Sequence, residues 1–86
     1  MVNEDLKDLI SVQSMMQAEN DEYIRLTPPG ELPEGVAGNF AVISAYSIVK
    51  ANPDLVDGLS AKDFFETFDA AIQETVSEIT KGNFID

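Results

Sequence analysis

In 86 residues this chain carries sixteen acids against five bases, a net charge of −11, and it has neither Cys nor His. Disulfides are excluded, a structural zinc site loses its usual ligands, and nucleophile–histidine catalysis has no members. The bases Lys7, Arg25, Lys50, Lys62 and Lys81 are scattered, which excludes direct binding to nucleic acid or to an anionic membrane.

An apolar content of 44% supports a packed core rather than a disordered acidic tail. Residues 1–86 are expected to form one acidic globular domain held by packing alone, with self-association as a supplement. The start, Met1-Val2-Asn3-Glu4-Asp5, lacks the basic-then-apolar order of a secretory signal. The longest uncharged run, Gly35 to Val49, is shorter than the roughly 20 residues that span a bilayer. The expected location is cytoplasmic, in a cell or in the host cell of a virus.

The first segment reads as a helix. Asn3 caps it, and Glu4 and Asp5 suit the positive end of its dipole. Val2, Leu6, Leu9, Ile10, Val12 and Met16 form its apolar side, while Met15 falls off that stripe beside Ala18. Met15 is therefore a candidate contact residue on a partly apolar outer side. After the polar Glu19-Asn20-Asp21-Glu22, the stretch Tyr23 to Thr27 fits a last helical turn or a short strand.

Thr27 to Gly35 holds three prolines and two glycines and must be a loop. Its prolines do not make a PxxP ligand. Gly35-Val36-Ala37-Gly38-Asn39 resembles a phosphate loop only in its glycines, with no Lys and no preceding strand.

The run Phe40 to Val49 is apolar on almost every side and is expected to be enclosed by the acidic segments around it. Period alone does not separate helix from strand here. Asn39 as a cap, the small residues Ala41, Ser44 and Ala45, and a length of about 13 residues favour helix. The alternative is an α+β fold with a two-stranded hairpin, Tyr23–Thr27 against Phe40–Val49. Asn52-Pro53 then starts a helical turn that Gly58 closes. Reading this stretch as a calcium loop puts Leu55 and Phe64 where oxygen ligands belong, which excludes it.

Ser60 to Lys81 is the clearest helix. Ser60 and Asp63 form a capping box, and Gly82 suits the residue past the end. Ala61, Phe64, Phe65, Phe68, Ala71, Ile72, Val76 and Ile79 recur at helical spacing and are expected inside, with Phe68 at the centre. Phe84 and Ile85 are expected to fold back on the core.

The expected fold class is all-α, a small three-helix domain with one short extra helical turn. Sixteen acids always supply carboxylate pairs, so pairs alone point to no enzyme, and neither cofactor nor metal is expected. The expected function is non-enzymatic: an accessory or viral-type interaction module that binds a protein partner or assembles with its own copies. The alternative is a nucleic-acid mimic that fills the basic groove of a DNA- or RNA-binding protein. Its line of charge would be Asp63, Glu66, Asp69, Glu74 and Glu78, about one per 5 Å along the last helix, alongside acids of the first.

Overall fold

The structure is a computed structural model in which residues 1–82 are described; Phe84 and Ile85 lie outside them. Its elements are α1 (Glu4–Glu19), α2 (Glu22–Leu26), α3 (Glu34–Ala51), a 3-10 turn (Pro53–Val56) and α4 (Ala61–Thr80). Among the described residues there is no strand, so the fold is all-α and the hairpin alternative is excluded. Tyr23 to Leu26 belong to the short helix α2.

Local chemistry sets most boundaries. The Asn3 side chain accepts the Leu6 N–H at 3.1 Å, Asp21 accepts that of Ile24 at 3.0 Å, and Ser60 accepts that of Asp63 at 3.1 Å. The Asn3 N–H also donates to Thr67 Oγ1 at 2.8 Å, which pins the start of α1 to the middle of α4. Gly82 adopts a φ of +75° and ends α4. A Cβ built there would lie 2.7 Å from the Pro29 ring, so the proline loop closes over this end.

One boundary differs from expectation. Asn39 is not a cap, because α3 starts at Glu34, directly after Pro33. The extra turn brings Ala37 into the core with Met15, Ala18, Ile24, Leu32 and Ile79, and that packing outweighs the helix cost of Gly35 and Gly38.

α4 packs on both α1 and α3, and α1 packs on α3, giving an elongated bundle of 39 × 20 × 19 Å. The seams are lined by small side chains: Ser11, Ser14 and Ala18 of α1, Ala37, Ala41, Ser44 and Ala45 of α3, and Thr67, Ala71 and Thr75 of α4. Thr67 and Thr75 are tolerated inside because their hydroxyls are used. Thr67 accepts from Asn3, and Thr75 donates to the Ala71 carbonyl at 2.8 Å.

This seam overturns three expectations about what is inside. On α1, Leu9, Val12 and Met16 are exposed and Met15 is buried. On α4, Thr67 and Thr75 hold the central line, Phe64 and Phe68 sit at its flank, and Phe65 is 62% exposed. On α3, only the small-residue side is covered, and Val42, Ile43 and Tyr46 face outward, so the uncharged run is not enclosed. On α3 and α4 residue size is the reason, since a close helix contact selects Ala, Ser and Thr over Phe, while on α1 Met15 is buried because it lies on the same side as Ser11, Ser14 and Ala18.

Truncating Ile10, 1% exposed, to Ala is expected to cost about 2–5 kcal/mol, whereas Phe65→Ala costs under about 1 kcal/mol; denaturant unfolding of both variants checks the order. Ser14 Oγ is buried with no hydrogen-bond partner. Ser14→Ala removes that orphaned hydroxyl and is expected to stabilise the fold by about 1 kcal/mol, seen as a higher melting temperature.

Candidate functional site

The acids proposed as a contact ridge do not form one free line. Asp63 and Glu66 both receive the Met1 α-ammonium, Glu66 at 2.7 Å. Glu74 Oε2 is buried and lies 3.3 Å from Lys7 Nζ, which also meets Glu4 at 3.3 Å and Asp8 at 3.2 Å. Lys7 is mostly covered, with 19% of its side chain exposed, so this cation crosses the α1–α4 seam. Asp8 first, then Glu4 and Glu74, hold its ammonium above the usual lysine range. The Met1 ammonium beside Asp63 pushes that carboxyl below its ordinary value, and Asp63 and Glu66 push the ammonium up.

The first-helix acids Glu4 and Asp8 do come alongside Glu74, but around a shared cation. Five carboxylates, Glu4, Asp8, Asp63, Glu66 and Glu74, thus share two cations. Asp69 is exposed and turned about 140° from Glu74 around α4. Glu78 lies one turn beyond Glu74 and is half-buried. Met15, taken from the sequence as an outer contact, is 3% exposed in the core and offers no surface. Met16, expected inside, is the exposed one of the pair.

A different surface emerges between α3 and α4. Tyr46, Val49 and Lys50 of α3 and Phe64, Phe65 and Phe68 of α4 line a groove of about 430 Å³. Phe64 packs edge-on to Phe65 at 5.4 Å between ring centres and lies tilted against Phe68 at 5.6 Å. Lys50 Nζ sits 5.9 Å from the centre of the Tyr46 ring. A second hollow of about 410 Å³ shares Val49, Phe64 and Phe65 and runs on to Val56 and Leu59. From this groove the exposed apolar side chains continue along α3 through Tyr46, Ile43 and Val42.

Two signals in the sequence pointed here. Adjacent residues on a helix are about 100° apart, so Phe64, Phe65 and Phe68 cannot all face one thin seam. Ala37, Ala41 and Ala45 recur every fourth residue and mark the true buried side of α3.

A hollow of about 630 Å³ between the start of α3 and the end of α4 has Glu34 as its single titratable residue. That lining provides no second carboxylate for paired acid–base work. Among the described residues, no cluster of three acids converges where a metal ion could sit, and no helix is long and apolar enough to cross a membrane. The chain matches no protein-family model, no curated protein and no solved structure.

Lys7 tests how far the acidic side is a structural clamp. Its folded pKa is raised, so its contribution is complete at neutral pH and fades as pH climbs past the usual lysine range near about 10.4. Lys7→Gln is expected to lower the melting temperature at pH 7, with the difference from the parent shrinking above that range. Equal melting at pH 7 rules the clamp out.

Proposed function

We propose that this chain is a non-enzymatic protein-interaction module that docks through the outer face of α3 and the adjoining aromatic groove. One observation carries the reading: the fold buries its small residues and leaves Ile43 at 64%, Tyr46 at 60% and Phe65 at 62% exposure. Apolar side chains scattered singly on a surface are ordinary; a continuous set spanning two helices marks a contact site. Tyr and Phe at the centre of such a patch are the residue types that anchor protein interfaces.

The nucleic-acid mimic is the second reading. The observation in its favour is the gathering of Glu4, Asp8 and Glu74 on one side of the bundle. The Lys7 ammonium among them weakens the match to a bare line of phosphates. A mimic would also need a partner whose binding falls steeply with salt.

Site-specific photo-crosslinking inside cells separates the two. A photoreactive residue at Ile43 or Phe65 is expected to capture a protein, and the same residue at Glu4 or Gln17 is not. Capture from Glu4 alone, displaced by added DNA, favours the mimic. No capture from Ile43 or Phe65 overturns the docking face.

A further inference from the structure

The outer face of α3 has a pattern that singles out one occupant. Val36, Asn39, Ile43, Tyr46 and Lys50 are all exposed and follow one another at alternating three- and four-residue steps. That spacing keeps one line of side chains turned toward a partner helix. Among the described residues no helix covers the line, because α1 and α4 both pack on the opposite, small-residue side.

Charge narrows the partner further. The chain carries −11, yet Gly35 to Val49 has no charge at all. A second copy can approach here without laying acids of one helix on acids of the other. The helix ends carry opposite signs: Glu34 opens α3 and Lys50 lies in its last turn, both exposed. Parallel pairing would set Glu34 against Glu34 and Lys50 against Lys50. Antiparallel pairing sets each Lys50 beside the other copy's Glu34.

Resting on the reading of this face as a docking surface, we infer that its partner is a second copy of this chain. The two α3 helices pack antiparallel, with Ile43 at the middle of the contact. The exposed line is centred on Ile43, so Val36 and Lys50 of one copy lie toward Lys50 and Val36 of the other. Each Lys50 comes near the other copy's Glu34. The bulky C-terminal half of one helix lies on the glycine-containing half of the other. Phe65 and Lys62, one turn apart on α4, widen the contact from the side.

The size fits a weak, concentration-dependent dimer. α3 offers a strip about 27 Å long and about 10 Å wide, roughly 270 Å² per copy. Two such strips with the adjoining groove stay below the roughly 1,200 Å² of standard specific interfaces, in the range of weak or transient contacts.

Sedimentation velocity of the full chain, from low to high micromolar concentration, reads the association directly. A monomer–dimer equilibrium is expected. Ile43→Asp, at a position already exposed, should weaken it about tenfold or more while leaving the helical circular dichroism unchanged. Orientation has its own test, made clean by the absence of native Cys. Glu34→Cys and Lys50→Cys proteins, mixed and mildly oxidised, should form the mixed disulfide faster than either homodimer. A chain that stays monomeric throughout, or a dimer indifferent to Ile43→Asp, overturns the inference; faster homodimer formation overturns the antiparallel register. Monomeric behaviour with continued capture of another protein from Ile43 leaves the docking face standing and removes only the self-pairing.

Discussion

The constraint on which this structure depends is the width of its helix seams. Three long helices meet through Ala, Ser and Thr, and Ile10 is the bulkiest of the fully buried side chains. Small contacts bring helix axes toward the near end of the usual spacing of about 8–10 Å. A seam that narrow cannot accept Phe or Tyr at its centre. The larger apolar residues fill two clusters, one around Met15, Ile24, Leu32 and Ile79 and one around Leu6, Ile10 and Ile48, or lie half-buried at the flanks or on the outside. Shape and surface chemistry therefore share one cause.

Electrostatics works within this frame. Polar groups drawn into the seam are mostly satisfied, as the Asn3–Thr67 and Thr75–Ala71 bonds show. Lys7 reaches across α1 and α4 and gathers three carboxylates, so part of the acidic surface is spent on holding the bundle. Such pairs add little when solvated, but Lys7 is mostly covered and its position at the seam gives it a defined geometry. The remaining acids, including exposed Asp69, Asp54 and Asp57, keep the outer surface strongly negative.

Much of the fold was readable in the residues. Caps at Asn3 and Ser60, the glycine past α4 and the proline loop are local chemistry, and local chemistry reads directly. The inward and outward sides were not readable by the same route. Hydrophobic periodicity assumes that the most apolar side is the buried side. On α4 that assumption assigned Phe65 to the interior, and on α1 it exchanged Met15 with Met16. On α3 and α4 the competing signal was size, in the recurrence every fourth residue of Ala37, Ala41 and Ala45 and of Thr67, Ala71 and Thr75; on α1 it was the small-residue side of Ser11, Ser14 and Ala18, which Met15 shares. The acidic ridge failed differently. Charge spacing along one helix cannot show that Glu74 belongs to Lys7 on another, because that pairing exists only after α1 and α4 have docked.

Seen together, the surplus acids and the bare face of α3 have complementary effects. A uniformly apolar exterior on so small a bundle would aggregate, and a uniformly acidic one would repel every copy of itself. The uncharged face of α3 offers an approach that avoids laying acids on acids, while the net charge opposes contact between acidic faces. For the docking proposed on that face, exclusion of acid–acid contacts would add to specificity alongside fit. The opposed charges of Glu34 and Lys50 at the two ends of that helix extend the same logic to orientation. In the proposed docking the apolar face would supply the attraction, and the charged residues around it would set how it is met.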